Sequence, residues 1–258
     1  MSRVLAIHAH PDDLELLAGG TLALLARAGC EIVMVTATAG EGGSAEHEPD
    51  ATAALRKAEA AASAARIGAT YRCLGFPDLG VFNDDASRRA VTEMIRAERP
   101  DVVITSSPED YHPDHEAIST LVRDACFAAP VANYRTGPAA ALTTIPALYF
   151  VDAVGARDRS GQRHARDFGV DVSGVLDLKL AMTAEHASQL AWVARHHGIA
   201  DYVADVERFT RRVGKDFAVP AAEGFRQYRH EPYPQAAVLQ GLLGGVVIRT
   251  RAAGHEVT

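Results

Sequence analysis

The sequence has few cysteines and lacks any long apolar run. Its 258 residues include three cysteines, Cys30, Cys73 and Cys126, which lie far apart and form no CxxC pair. This usage indicates neither a disulfide framework nor a cysteine-based zinc site, and it is typical of a reducing compartment. A run of about 20 apolar residues, which a transmembrane helix needs, is missing, and so is a signal-peptide pattern at the amino terminus. We therefore expect a soluble cytoplasmic protein.

An excess of positive charge and the common nucleotide-binding patterns are missing too. The 26 lysines and arginines are outnumbered by 33 acidic residues, which gives a net charge of −7. This balance does not favour a nucleic acid or an anionic membrane. Gly19 and Gly20 stand outside any GxGxxG or Walker pattern, so support for nucleotide binding is weak. We expect neither nucleic acid nor membrane as a partner.

The first 130 residues alternate between β-branched runs and alanine-rich helical runs. Such alternation predicts βαβ units and an α/β fold, with a Rossmann-like, mostly parallel sheet and helices on both faces. We predict a single domain over residues 1–258, with 1–130 as the Rossmann-like core and 131–258 as substrate loops and C-terminal helices. The predicted strands cover residues 4–9, 31–37, 70–74, 101–105 and 146–151. The predicted helices cover 14–28, 51–67, 83–99, 114–128, 176–197 and a segment whose apolar stripe is Tyr202, Val206, Phe209 and Val213.

Two similar polar segments follow predicted strands. One is HPDD at residues 10–13, and the other is HPDH at residues 112–115. Working residues of a doubly wound sheet lie beyond the carboxyl ends of its strands, so the two segments are candidates for one shared site. Two imidazoles and a carboxylate are a common ligand set for catalytic Zn²⁺, with one position open to water. Each proline restricts the histidine before it and so holds that histidine at an abrupt turn.

Both segments belong to longer patterns. The pattern AHPDDxExxxGGT spans residues 9–21, and DxHPDH spans residues 110–115. Together they resemble the PIG-L/LmbE family of metal-dependent N-deacetylases. Weaker matches extend along nearly the whole chain: Arg56-x-x-Glu59, Phe76-Pro77-Asp78, His186-x-Ser188-Gln189 and Glu223-x-Phe225. One departure is Leu14, where the family often has an acidic residue, although Glu15 keeps the second acidic position.

The resemblance implies a role for each matching residue of the two segments. The metal, Zn²⁺ with Fe²⁺ as the alternative, would be bound by His10, Asp13 and His115. Asp12 would be the general base that deprotonates the attacking water. His112 would stabilise the oxyanion or protonate the leaving amine, and the sequence leaves open whether Asp12 or His112 delivers that proton.

Other residues are expected around this centre. Asp114 would orient a histidine beside the metal. The expected substrate contacts are Arg56, Asp78, Asp110 and Arg135. Arg56 and Asp78 match positions that commonly face the sugar in the family, and Arg135 could reach the substrate from a loop. Substrate specificity is expected in the irregular segments 129–145 and 154–170.

The resemblance implies a hydrolase that removes an acyl group, in the first place acetyl, from the amino nitrogen of an amino sugar or an N-acetylglucosaminyl conjugate. A homo-oligomer is also expected, because relatives are often oligomeric. Two alternatives stay open: an amidase acting on a larger thiol-sugar conjugate, of the mycothiol S-conjugate type, and a non-catalytic metal- or sugar-binding module. Retention of Asp12 argues against the module, because a pure binding site does not need an unligated base.

Several polar residues also have simpler interpretations. Asp13 could cap the helix that begins at Leu14, since aspartate is a favoured N-cap. His8 is expected in the core or behind a metal ligand. His186 could lie near the site or have only a packing role, and Glu223 could tie the C-terminal segment to the body of the protein.

Overall fold

The computed structural model describes residues 1–157, 159–163 and 165–249. Two positions of the predicted loop 154–170, one of them His164, lie outside the described residues. So do residues 250–258 at the end of the predicted domain.

Strands and helices alternate through the first part of the chain, as predicted. The elements there are β1 (Arg3–His8), α1 (Asp13–Arg27), β2 (Glu31–Thr38), α2 (Pro49–Ala65), β3 (Thr70–Phe76), α3 (Asp85–Glu98), β4 (Val102–Thr105), α4 (Pro113–Ala128) and β5 (Ala147–Val151). The later elements are β6 (Phe168–Asp171), α5 (Leu176–Thr183), α6 (Ala187–His197), α7 (Tyr202–Asp216), β7 (Ala222–Gln227), α8 (Val238–Leu243) and β8 (Val247–Arg249).

The described strands form one sheet in the order β3-β2-β1-β4-β5-β7-β6-β8. The pairs among β1 to β5 are all parallel. The pairs that add β7, β6 and β8 at the far edge are antiparallel. The prediction of a mostly parallel α/β sheet is therefore confirmed.

Side chains on the two faces of β1 enter two different cores. Val4 and Ala6 pack in a cluster that includes apolar residues of α1, α5 and α7. Leu5 and Ile7 pack in a second cluster with residues of α3 and α4. Because successive strand residues point to opposite faces, a central strand buried on both sides reads as a continuous apolar run. Helices therefore cover both faces of the sheet.

The site is positioned by the neighbouring strands β1 and β4. The strand order runs from β1 through β2 to β3 on one side and from β4 to β5 on the other, so the direction of winding changes between β1 and β4. In an open α/β sheet such a switch point opens a crevice at the carboxyl ends of the strands. The HPDD segment lies between β1 and α1, and the HPDH segment leads into α4 after β4. Both segments thus reach the same crevice.

The predicted helix over 176–197 is wrong in one respect, because the chain breaks between α5 and α6. The break contains His186, which is fully buried, with Nε2 3.0 Å from Glu15 Oε1. The break between α5 and α6 thus coincides with a buried contact to α1.

The antiparallel strands β6, β7 and β8 were not predicted. Residues 168–171 fall in a segment expected to be irregular, yet they pair with β7. The sequence of β7, AEGFRQ, contains no β-branched residue and no regular alternation of apolar and polar residues. It therefore does not show the pattern of a strand. Pairing with neighbours that are distant in sequence decides its structure.

Glu223 of β7 ties this later region to α1, as one interpretation of the sequence held. Its carboxylate accepts the N–H groups of Gly20 at 2.9 Å and Thr21 at 2.7 Å, and it pairs with Lys179 Nζ at 2.5 Å. Lys179 also donates to the Leu16 carbonyl at 2.8 Å. A buried ion pair thus contacts backbone groups in the middle of α1. Among the described residues, no helix has the length and apolar character needed to cross a membrane.

Candidate active site

Residues more than 100 positions apart in the chain meet at the crevice. His10 Nδ1 lies 3.2 Å from His115 Nε2. Asp13 Oδ2 lies 3.4 Å from that His10 nitrogen and 3.3 Å from the same His115 nitrogen. The three predicted ligand residues are therefore brought together, with their donor atoms at the corners of a small, nearly equilateral triangle.

The size of this triangle fits a single cation. Tetrahedral coordination with bonds of about 2.0–2.2 Å separates neighbouring donor atoms by about 3.3–3.6 Å. The observed separations of 3.2, 3.4 and 3.3 Å are close to that range. Two imidazole nitrogens and a carboxylate oxygen are also ligands that zinc accepts. The residues present therefore fit a metal ion.

Donor atoms around the crevice are numerous enough for overlapping ligand sets. Further groups whose donor atoms lie within 4.8 Å of one another are His10 with His112 and His115, His8 with Asp13 and His115, and His10 with Asp78 and Asp114. His8 is fully buried, and its Nδ1 lies 2.7 Å from Asp13 Oδ2. His8 thus lies behind Asp13, consistent with one expectation from the sequence.

Asp13 is held in its charged form by the groups that surround it. Burial alone would raise the pKa of its carboxyl group, but the neighbouring His115, His8 and His10 rings lower it to well below its usual range. Asp13 Oδ2 also accepts the backbone N–H of His10 at 2.8 Å. Asp13 is the first residue of α1 and not its N-cap, so the interpretation of Asp13 as a simple cap is wrong.

Carboxylates behind the histidines hold the rings in place. His10 Nε2 lies 3.2 Å from Asp78 Oδ1 and 3.3 Å from Asp114 Oδ2. Burial would lower the pKa of His10, but the contacts with Asp114, Asp13 and Asp78 raise it well above its usual value. Carboxylates in this position fix the orientation of a ligand ring and raise its basicity. Asp114 thus contacts a histidine of the centre, as the resemblance implied.

Asp110 has the corresponding position behind His115. Its Oδ1 lies 3.2 Å from His115 Nδ1, and its Oδ2 accepts the backbone N–H of Val154 at 3.0 Å. The Asp110 side chain is completely buried. The structure thus places Asp110 beneath the crevice and not at the substrate rim, where the sequence had suggested it.

Asp12 has an unusual backbone conformation at the N-cap of α1. Its φ is 98°, a region that non-glycine residues rarely adopt and that is often found at functional sites. Instead of capping the helix, its carboxylate accepts a hydrogen bond from the Tyr202 hydroxyl at 2.8 Å. Burial, with the adjacent Asp13 charge, raises the pKa of Asp12 to about 7. A carboxylate with this pKa suits proton transfer near neutral pH.

His112 caps α4 and faces the centre. Its Nδ1 accepts the backbone N–H of Asp114 at 3.2 Å, so in the neutral ring the proton is on Nε2. Burial and the neighbouring His10 and His115 lower the pKa of His112. Its ring stacks on His115 with a centroid distance of 4.9 Å. The arrangement favours a neutral imidazole that can donate one hydrogen bond from Nε2.

A cavity of about 680 Å³ opens from these residues. Arg56 and Asp78 line it. Arg56 is buried and donates from Nη2 to the Gly43 carbonyl at 2.7 Å. A Cβ at Gly40, whose φ is +67°, would lie 2.6 Å from Arg56 Nη1, so only glycine lets the loop pass so close to this side chain.

Arg135 is not brought to this cavity. It is exposed, and its carbonyl oxygen accepts a hydrogen bond from Arg89 of α3 at 2.5 Å. Segment 129–145 joins α4 to β5, and such a connection leads to the amino ends of the parallel strands, away from the crevice. The expectation that this segment decides specificity is therefore not supported. Segment 154–170 contributes Val154 and Gly155 to the cavity wall.

Much of the cavity wall comes from α6, α7 and the turn between them, which sequence reasoning did not identify as functional. These residues are Gln189, Trp192, Val193, Ile199, Tyr202, Asp205, Arg208, Phe209 and Arg212. Tyr202 and Phe209 had been assigned only to an apolar stripe. The signal available was weak: Trp192 is the single tryptophan of the chain, and Tyr202 carries a hydroxyl that an apolar stripe does not need.

Comparison with known proteins agrees with these features. Residues 5–126 match the family model described as PIG-L, GlcNAc-PI de-N-acetylase. A relative from Nakamurella multipartita, 1D-myo-inositol 2-acetamido-2-deoxy-alpha-D-glucopyranoside deacetylase, is 30% identical, and the match covers 90% of this chain and 91% of that protein.

Two solved structures show the same fold. N,N'-diacetylchitobiose deacetylase from Pyrococcus horikoshii matches with a TM-score of 0.76 and 23% identity, covering 92% of this chain and 88% of the other. GalB, the 4-carboxy-2-hydroxymuconate hydratase of Pseudomonas putida KT2440, matches with a TM-score of 0.71 and 21% identity, covering 92% and 100%. Since one of these enzymes is a hydratase, the fold alone does not specify deacetylation. The 30% identity over nearly the whole length of the Nakamurella enzyme shows the family as well as the fold. The chain belongs to the PIG-L family of de-N-acetylases.

Proposed function

We propose that this protein is a metal-dependent hydrolase that removes the acetyl group from the amino nitrogen of an N-acetylglucosamine-containing compound. The observation that carries the proposal is the triangle of His10 Nδ1, Asp13 Oδ2 and His115 Nε2, with Asp12 beside it at the end of a large cavity. The Nakamurella relative acts on an acetamido sugar, which supports this substrate class.

The metal would be held by His10, Asp13 and His115. We propose Zn²⁺, with Fe²⁺ as the alternative, because two imidazoles and one carboxylate suit both ions. When bound, the ion would polarise the amide carbonyl and make the attacking water more acidic. His112 with His10 and His115 is the alternative ligand set, but His112 already uses Nδ1 to cap α4.

Asp12 would take the proton of the attacking water. The hydrogen bond from Tyr202 is made to one carboxylate oxygen, Oδ2, and Asp12 lines the cavity. Its pKa of about 7 lets the carboxylate accept a proton and later release it near neutral pH. Protonated Asp12, which this transfer produces, is a candidate proton donor to the leaving amine.

His112 would stabilise the tetrahedral intermediate by donating from Nε2 to the oxyanion. A neutral donor fixed by a helix N-terminus needs no reorganisation as negative charge develops. Because burial and the neighbouring histidines lower the pKa of His112, we propose Asp12 rather than His112 as the proton donor to the amine.

Arg56 and Asp78 would contact the sugar. Arg56 Nε is buried without a hydrogen-bond partner within the described part of the chain, so it offers a donor to a sugar hydroxyl. Asp78 contacts His10 with Oδ1 and accepts the N–H of Gly42 with Oδ2 at 3.0 Å. A sugar bound at Asp78 would therefore be linked directly to a ligand histidine.

The test combines metal analysis with turnover. Protein purified without chelators should contain about one metal ion per chain and should release acetate from N-acetylglucosamine derivatives. His115→Ala should lose both the metal and the activity, whereas Asp12→Asn should keep the metal and lose turnover. Retained ligand affinity without any turnover in the wild type would favour the binding module. Hydrolysis only of larger thiol-sugar amides would favour the amidase alternative.

A further inference from the structure

A second cavity of about 330 Å³ lies beside the first. It is bounded by α2, by α6 and by the loop between β2 and α2. Gly43, Arg56 and Trp192 line both cavities, so the second cavity adjoins the space proposed for the sugar. The metal centre uses only the first cavity, and the proposed reaction leaves the second without a role.

The walls of the second cavity are mainly apolar. The apolar side chains that line it are Ala45, Leu55, Ala187, Ala191 and Trp192. Leu55 is 39% exposed, so part of its apolar surface is open to a ligand in this cavity. Covering such surface with an apolar ligand group is favourable, because it removes apolar area from water.

Two of the hydroxyl side chains at these walls are bonded to protein partners. Ser188 donates to the Glu59 carboxylate from its backbone N–H at 2.9 Å and from its hydroxyl at 2.6 Å. Thr52 donates to the Glu48 carbonyl at 3.1 Å. A polar ligand would compete with these bonds, whereas an apolar chain would leave them intact.

The outer wall is closed by an ion pair between two elements. Arg195 of α6 contacts Glu46, in the loop before α2, at 2.5 Å. The pair joins the loop to α6 and makes a pocket of what would otherwise be an open groove. Both side chains are more than half exposed, so this closure is on the solvent side.

We propose that the second cavity is a subsite for an apolar chain carried by the substrate on its sugar and not on its amide. The inference rests on the proposed function, which places the acyl group at the metal centre and the sugar at Arg56. A chain that leaves the sugar past Arg56 and Trp192 enters the second cavity directly. An acyl chain would start instead at the metal centre formed by His10, Asp13 and His115.

The first experiment compares three substrates: the methyl glycoside of N-acetylglucosamine, its octyl glycoside, and the methyl glycoside of N-octanoylglucosamine. The octyl glycoside should have a kcat/KM at least about tenfold above that of the methyl glycoside, since even one methylene in a fitted pocket changes this ratio by about tenfold or more. The N-octanoyl compound should show no gain. A gain only with the N-octanoyl compound would overturn the sugar-side assignment, and no gain with either chain would overturn the subsite.

Matched variants on α6 localise the effect. Ala191→Phe should fill the second cavity and abolish the preference for the octyl over the methyl glycoside. Ala194→Phe adds the same ring to the same helix at a residue that lines neither cavity, and it should keep the preference. If both variants lose the preference, or neither does, the octyl chain does not bind beside Ala191.

Trp192 provides a readout that needs no turnover. It is the only tryptophan of the chain and lies where the two cavities adjoin, so its fluorescence should report the octyl chain. Octyl glycoside should change the emission saturably and bind at least about tenfold more tightly than methyl glycoside. Such binding without acetate release from any substrate would contradict the proposed function but keep the subsite. Acetate release with equal binding of both glycosides would keep the proposed function and overturn the subsite.

Discussion

The two halves of the chain contribute to the candidate site in different ways. The half up to α4 supplies the ligand residues of the proposed metal centre, in the segments that follow β1 and β4. The later half supplies much of the cavity wall through α6 and α7, including Tyr202, which contacts Asp12. The positions of the ligand residues follow from the topology of the sheet, because these residues come after neighbouring parallel strands. The cavity wall depends instead on how separate helices pack. The first contribution can be read from motifs and the second cannot.

The largest effect is expected in the first half, at Asp12. Asp12→Asn removes the proposed base while keeping the size of the side chain, so kcat should fall by about 10²- to 10⁴-fold. Metal content should stay near that of the wild type, because Asp12 lies outside the proposed ligand triangle. Initial rates and metal analysis on the same sample check this. A variant with wild-type kcat would remove Asp12 from the mechanism.

Stability should depend strongly on the later half through Glu223. Glu223→Gln leaves the fully buried Lys179 without its counter-charge, and such a loss costs about 3–5 kcal/mol of unfolding free energy. Urea unfolding followed by circular dichroism measures the difference. The exposed pair Arg89–Asp85 supplies the control, and Asp85→Asn should change the midpoint far less. Equal effects of the two substitutions would mean that the buried pair does not tie β7 to α1.

His186 should make the stability depend on pH. The nearby Glu15 outweighs the effect of burial and raises the pKa of His186 to about 9. A histidine with a raised pKa stabilises the folded state fully below about pH 6.5 and loses that contribution as the pH rises through about 9. The contribution is about 3 kcal/mol, from a shift of 1.36 kcal/mol per unit.

The check compares wild type with His186→Gln by urea unfolding at about pH 6 and about pH 10. The difference in unfolding free energy should shrink at the higher pH. His230→Gln, at an exposed position, should show no such trend. A constant difference for His186→Gln would mean that folding does not raise the pKa of His186.

Tyr202→Phe tests whether the later half also affects the chemistry. It removes only the hydroxyl that donates to Asp12, and a hydrogen bond to a charged group contributes about 1.5–3 kcal/mol. We expect kcat to fall by about 10- to 100-fold with KM nearly unchanged. Tyr134→Phe, outside the cavity, is the matched control. A change in KM alone would make Tyr202 a wall residue only.

The smallest effect is expected at Arg135. Because this side chain is exposed and lies outside the cavity, Arg135→Ala should change kcat/KM by less than about twofold. Steady-state kinetics of Arg135→Ala and wild type, with the N-acetylglucosamine derivative that the wild type hydrolyses fastest, measure this change in kcat/KM. A large rise in KM would mean that segment 129–145 reaches the substrate after all and would weaken the contrast between the two halves.

Prediction from sequence worked best where local pattern and topology agree. The run Val4 to Ile7 is apolar at every position because β1 is buried on both faces, and this run made the strand easy to recognise. Prediction failed at β7, whose polar residues form a strand only because β5 and β6 lie on either side. It failed also at the break before α6, where a buried contact with Glu15 overrides helix propensity.

The sequence by itself determined the fold class, the family and the candidate residues of the metal centre. The fold class followed from the alternation of strands and helices, whereas the family and the metal-centre candidates followed from the resemblance of the two HPD segments to the PIG-L/LmbE family. Only the tertiary structure decided that Asp110 lies behind His115, that Arg135 is remote and that Tyr202 contacts Asp12. Those positions depend on the packing of loops and helices that are far apart in the chain, and periodicity within one segment carries no information about such packing.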